Sequence, residues 1–384
     1  MVMEALSDIG RFFINPLLYI ALLAAILLGY FRVKKERTQF RTRIVWGWRE
    51  FGDLLKDGIL YALLLSILFS AIGLAVPLEW LVALTLVSAV VLLSGVYQMA
   101  SFIYLAAAAA AFGWLLKHYG WSVPFGIFDY TGYAIAWNWL LPVALIAGAM
   151  VFVEGLLIIR HGAEASSPRM QKTSRGGTAV LYKAKRHWLI PLLLVVPGDL
   201  LNSYLPYWPQ FPIGDSRFTF ILFPAIIGFQ SRARKTLPLH LYPQLGQKVW
   251  MLGIAIVILA LLSFVWEPMA LVALLFGVTG RAAISMMNAI KENKGNHAVA
   301  PQSTGVMIVD VLAGSPAEKM GLLRGEVIRK VNGLTVTNEA ELYEAIQVNA
   351  AHCRLEVIDH NKEMRLRQHV VFRHDHYRLG LIVV

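Results

Sequence analysis

Cysteine is almost missing from this sequence, with Cys353 the single one in 384 residues. An internal disulfide is therefore excluded, and nothing in the cysteine count points to an oxidising compartment. Charge is scarce as well. Charged residues make up 15% of the chain against 57% hydrophobic ones, and the mean hydropathy is +0.59. That balance lies outside the range of soluble domains and indicates an α-helical polytopic membrane protein. Acidic residues are the scarcer sign, 24 against 35 basic, for a net charge of +11. In a soluble chain such an excess would suggest nucleic acid. In a membrane chain it is read loop by loop, so the expected partner is the lipid bilayer and no nucleic acid is expected.

Catalytic signatures are missing too. There is no HExxH, and none of the ten histidines falls deep in a clear span, so an intramembrane zinc site lacks its ligands. No Gly-x-Ser-x-Gly occurs, and Ser94-Gly95 has no histidine at matching depth to act as base. His374 and His376 in RHDHYR could bind a metal in principle, but a solvated basic loop is the preferred reading. The expectation is therefore no enzyme, no metal and no cofactor. Transport is weakly indicated, because Asp199 and Glu154 are the acids counted within spans. Glu154 is assigned to snorkelling or to a local pair with Arg160. Asp199 sits in PGDLLN, a stretch of uncertain depth.

What the sequence does have is long apolar runs. A bilayer core of about 30 Å needs roughly 20 apolar residues per helix. Clear candidates lie at 12–31, 58–76, 80–96, 102–116, 139–159, 249–266 and 269–287. Weaker ones at 188–208 and 218–230 are interrupted by proline or short, and together could form a re-entrant pair. The run AAAAAA at 106–111 suits close helix packing better than a pore lining. The first span lacks a cleavage site and leads at once into RVKKERTQFRTR, so a cleaved signal peptide is not expected. That run and the loops at 160–187 and 231–248 hold nearly all the basic charge of the first 290 residues. The positive-inside rule then places the amino terminus outside and everything after residue 290 in the cytoplasm. Nine spans satisfy this, and seven spans with a re-entrant pair satisfy it equally.

After Met287 the texture changes. A polar linker at 291–304 precedes a small α+β domain at 305–384. GVMIVDV and EVIRKVNG read as strands, the second running into an Asn-Gly turn. GSPAEKMG reads as a short helix capped by Ser315 with Pro316 at its first position, and NEAELYEAIQV as a longer one. CRLEVID and MRLRQHVVF form a hairpin, and RLGLIVV ends the sequence.

Gly305-Val306, Gly314-Ser315-Pro316-Ala317, Gly321-Leu322, Gly325-Glu326-Val327-Ile328 and Val331-Asn332-Gly333 together resemble a PDZ domain of the bacterial type. Glu326 stands where that family usually has Asp. The resemblance implies a peptide-binding groove in which an extended ligand adds as a strand. In the family the groove opens with an apolar-Gly-apolar loop, and no such loop precedes Gly305. The candidate is Leu379-Gly380-Leu381 followed by Ile382 and Val383, which makes the domain circularly permuted, a small β-barrel with two helices. Glu339, Tyr343 and Ile346 would form the opposite wall, and a bulky residue at Gly380 would abolish binding in a folded domain. A core strand with a blocked groove is the bland alternative.

FFINPLLY at the first span, the basic exit GYFRVKKER and the terminal PDZ-like domain together resemble the MinJ family of division-site determinants of Gram-positive rods. That resemblance implies an adaptor at septa and poles linking the DivIVA scaffold to MinD, to MinC through it, and to other membrane proteins of the division machinery. A PDZ-regulated transporter, or a non-catalytic partner of a membrane protease, are the competing readings.

Overall fold

Asn15 opens the first long helix, its Oδ1 accepting the N–H of Leu17 at 3.0 Å, with Pro16 at the first helical position. The computed structural model describes residues 10, 12–125, 128–133, 137–173, 176–197, 218–348, 352–370 and 379–384. Helix α1 (Pro16–Phe40) ends at Arg41, whose φ of 56° turns the chain left-handed. Its 25 residues rise about 37 Å, longer than a hydrocarbon core of about 30 Å. The last turns, with Lys34, Lys35 and Arg37, therefore project beyond it. Helices α2 (Arg49–Lys56), α3 (Ile59–Ile72), α4 (Leu78–Ser94), α5 (Phe102–Tyr119), α6 (Trp137–His161), α7 (Pro238–Leu261) and α8 (Met269–Asn293) build the rest of the bundle.

Among the described residues, Pro16–Phe40, Arg49–Ile72, Trp139–His161, Pro238–Phe264 and Met269–Asn293 are long and apolar enough to cross a membrane, and Leu78–Ser94 is a shorter apolar helix. Small residues bring the helices close. Ala106 and Ala109 of the alanine run are fully buried, and Trp80 of α4 donates its indole N–H to the Ala106 carbonyl. Glycines at 148 and 155 on α6 meet glycines at 246 and 253 on α7; a Cβ at 155, 246 or 253 would run into the facing backbone, and one at 148 into the Val257 side chain.

The two weaker stretches are not helices where they are described. After a short hairpin of β1 (Val123–Phe125) and β2 (Phe128–Tyr130), the strands β3 (Ser166–Lys172), β4 (Thr178–Pro197) and β5 (Phe218–Ala233) form a three-stranded antiparallel sheet in that order. β4 and β5 pair in unbroken register from Tyr182↔Ala233 to Pro197↔Phe218. A helix through Pro191 and Pro224 would lose backbone bonds, whereas in the hairpin these two prolines face each other across the ladder. The apolar half, Trp188 to Val196, is buried on both faces, and a continuous apolar run carries no period to distinguish strand from helix.

A sheet in an apolar setting must satisfy its edges internally. β3 stops pairing at Ala184. Beyond it, Ser66 of α3 accepts the N–H of Leu193 at 2.9 Å and Val76 donates to the Val195 carbonyl at 2.9 Å. Pro191 has no N–H to satisfy. Asp199 and the remainder of the 188–208 stretch lie outside the described residues.

Glu154 is not paired with Arg160. It is fully buried and bound by Arg281 of α8, with Nε at 2.9 Å and a terminal guanidinium nitrogen at 2.8 Å, while Ser101 donates to its other oxygen. Spacing along α6 suggested the local partner. The true one arrives from a helix 127 residues away.

After α8 the chain is pinned rather than loose. Ala298 donates to the Arg234 carbonyl at 2.8 Å, and Val180 of β4 to the Val299 carbonyl at 2.9 Å. The carboxy-terminal domain then comprises β6 (Val306–Val311), α9 (Pro316–Lys319), β7 (Val327–Val331), β8 (Leu334–Thr335), α10 (Glu339–Val348), β9 (His352–Ile358), β10 (Met364–Val370) and β11 (Leu381–Val383). Ser315 caps α9, accepting the N–H of Glu318, and Asn332 and Gly333 take φ of 50° and 86° in the turn after β7. Ile308, Ile328, Val331, Leu342, Leu355 and Leu381 are among the residues of its core.

Candidate peptide-binding groove

The sheet of this domain runs β10-β9-β7-β6-β11, so the last strand lies beside the first and forms one margin. β11 is antiparallel to β6, with Leu381 opposite Val311 and Ile382 opposite Asp310. The Gly380 carbonyl accepts from Leu312 at 2.8 Å, and Val384 and Met307 exchange bonds of 3.0 and 3.1 Å. Residues 380, 382 and 384 thus turn their backbone toward β6. By strand alternation Leu381 and Val383 present theirs outward, donors and acceptors with no backbone partner among the described residues.

Opposite that row stands α10. Between them opens a cleft of about 750 Å³ lined by Gly380, Leu381, Ile382, Val383, Glu339 and Tyr343. Glu339 is exposed and Tyr343 half-buried; burial, with a lesser contribution from Glu339, raises the Tyr343 phenol. Of the residues expected in the groove, Leu379 and Ile346 do not line it. Both are buried in the domain core, and the Leu379 carbonyl holds the Ala317 N–H at the start of α9. Ile382 lines the cleft but belongs to the buried cluster that joins Met307, Val309 and Val327 to the membrane region.

Gly380 is not a neutral place for a test. Its φ is 79°, and a Cβ there would overlap Ser315, the cap of α9. A bulky residue would strain the fold itself, which corrects the expectation that the domain would tolerate one.

The cleft has a third wall that sequence reasoning missed. Arg37, Phe40, Arg41 and Arg43, from the end of α1 and the turn after it, line it together with Met170 of β3. The signal lies in the basic run RVKKERTQFRTR, whose charge by itself indicates only which side of the membrane the loop occupies. The wall exists because the domain is docked on the membrane region. Tyr182 donates its hydroxyl to the Val309 carbonyl at 2.6 Å, and Arg324 bridges Asp310 at 2.7 Å and Ser166 Oγ at 3.0 Å. Burial drives the Asp310 carboxyl upward, opposed by Arg324 beside it. The cleft can therefore take an extended segment as an added strand and offers it cations on one side. His374 and His376 lie outside the described residues.

Residues 307–359 match the model of the PDZ domain family. Across 381 residues, 99% of this chain and 95% of the other, it is 31% identical to "Cell division topological determinant MinJ" of Bacillus subtilis (strain 168). It is 24% identical over 379 residues, 96% of each chain, to "Probable cell division topological determinant MinJ" of Lacticaseibacillus paracasei. A shorter match, 42% over 59 residues, joins 15% of this chain to 13% of the serine protease HTRA1 of Xenopus laevis. The likeness to the protease is thus confined to a fraction of each chain, whereas that to the division determinants runs through membrane region and groove alike. The chain belongs to the MinJ family of cell division topological determinants.

Proposed function

We propose that the chain is a membrane-anchored adaptor in division-site selection and not an enzyme. Its PDZ domain faces the cytoplasm, and the protein gathers at septa and poles. There it links a DivIVA-like scaffold to MinD, and to MinC through MinD, with one of these contacts made by a peptide lying along β11. The observation that carries this reading is the outward-facing edge of Leu381 and Val383 set against α10, inside a chain whose relatives are named as division determinants. The arginines of the third wall favour a partner segment that is acidic or ends in a free carboxylate.

The test uses the full chain, because the isolated domain lacks that wall. Labelled carboxy-terminal peptides of the scaffold and of MinD are titrated against protein in nanodiscs, with fluorescence anisotropy as the readout. One peptide is expected to bind, and Tyr343→Ala to weaken it about tenfold, as loss of an aromatic anchor does. If neither peptide binds, and deletion of the gene leaves cell length and septum placement normal, the adaptor reading fails.

A further inference from the structure

A second cleft, of about 250 Å³, lies between α1, the end of α4, and the strands β3 and β4. Its two ends differ in chemistry. One is apolar, walled by Leu23, Leu27 and Leu28 of α1 and by Leu92 and Leu93 of α4. Leu23 and Leu93 are 51% and 69% exposed, so this end opens onto the surface that the bilayer covers. The other end holds Arg32, Lys35, Arg169, Lys183 and Lys185, with no acidic residue in the lining.

Among the described residues, Arg32 is the one cation of that set with an ion pair, to Glu36 and Glu50. Glu36, the acid whose charge acts on Arg169, is committed to Arg32, to Ser167 Oγ and to the N–H of Ile44. Among the described residues Lys35, Arg169, Lys183 and Lys185 have no ion-pair partner, and one terminal nitrogen of Arg169 is buried without a hydrogen bond.. Lys183 and Lys185 alternate on one face of β4, beyond the helical spans, with Ser167 and Arg232 opposite Lys183 on the flanking strands. Lys185 also rests over the Tyr97 ring, 4.6 Å from its centroid. Burial, then Arg232, Lys35 and Arg169, lowers the Lys183 ammonium. Cations held together at such a cost want an anion.

From Leu23 to Lys35 the helix rises about 18 Å, so an apolar chain lying along α1 would bring a polar head to the cations. We propose that this cleft is a binding site for one anionic phospholipid, its phosphate among Arg169, Lys183 and Lys185 and an acyl chain against Leu23, Leu27 and Leu93. A free phosphate would satisfy the cations but leave the apolar end open.

The test is lipid competition on full-length protein, with bound lipid measured after exchange against vesicles of equal parts phosphatidylglycerol and phosphatidylcholine. Phosphatidylglycerol is expected to be retained preferentially, by about fivefold per unpaired cation at the surface. Arg169→Gln/Lys183→Gln/Lys185→Gln should bring the two lipids near parity, whereas Lys183→Arg/Lys185→Arg should keep the preference. Ala24 also lines the apolar end, so Ala24→Phe fills it with every charge intact and should lower retention. Equal retention by the unaltered protein overturns the proposal, as does unchanged preference in the glutamine variant or unchanged lipid retention in Ala24→Phe. Displacement of the lipid by inorganic phosphate alone would also overturn it, in favour of a simple anion site.

Discussion

Glu154 and Arg281 are each within a few per cent of full burial and bind through two short contacts, with Ser101 and Ser285 taking up further hydrogen-bonding capacity. Such a pair is weak evidence for net stability, yet removing one member strands the other in a low dielectric. Glu154→Ala or Arg281→Ala should therefore each cost about 3 to 5 kcal/mol, and the double variant less than the sum. Thermal unfolding in detergent would show the non-additivity. A second residue-scale expectation concerns the hairpin between β9 and β10. The backbone N–H of Glu363, then that of Asn361 and the Arg365 guanidinium, hold the Asp359 carboxyl below its ordinary value. An acid depressed in this way stabilises the fold above its unfolded-state pKa and loses that contribution as pH falls toward the folded one. Asp359→Asn should lower the melting temperature at neutral pH and flatten its decline on acidification, measured across pH 6 to roughly 3.

At the scale of elements, the seven-residue spacing of Gly148 and Gly155 on α6 and of Gly246 and Gly253 on α7 fixes how closely those helices approach. A Cβ at Gly155 would meet the backbone of Trp250, and one at Gly253 the backbone of Phe152. Backbone cannot rotate aside as a side chain can, so Gly155→Leu should exceed the usual overpacking cost of about 1 to 3 kcal/mol. The expected result is a large loss of monodisperse protein, against little change for Gly52→Ala, where a Cβ meets nothing within 4 Å. The hairpin of β4 and β5 belongs to this scale too. It stands only because α3 and the segment after it satisfy the edge that β3 leaves open.

For the whole molecule, the decisive feature is that the PDZ domain is seated on β3 and β4. Tyr182, Arg324 and the bridge from Val180 to Val299 tie the two regions, and the buried cluster of the membrane region continues through Met307, Val309 and Ile382. Arg324→Ala leaves Asp310 buried without its cation, a change that costs several kcal/mol at a packed interface. Limited proteolysis should then cut the 294–304 stretch faster than in the unaltered protein. Peptide affinity should fall in step, since the arginine wall of the groove moves away with the docking.

Much was written locally. Hydrophobic length marked the helices, because the bilayer sets a number that composition alone can meet. The order of glycines, Ser315 and Pro316 marked the PDZ domain, because turns and caps are chosen within a few residues. A loop pattern and a helical spacing pointed to Gly380 to Val383 and to Glu339 and Tyr343, which lie along one cleft, but the same patterns also named Leu379 and Ile346, which pack in the core. What tertiary structure decided is everything that needs two distant segments. The apolar half of β4 has no period, so only pairing with β5 makes it a strand. Glu154 has plausible neighbours on its own helix, but packing gives it Arg281. The basic run after the first span carries charge toward either lipid or peptide, and its position beside both clefts follows from where the domain docks. Local preferences set which elements form, and contacts distant in sequence set what each charged side chain faces.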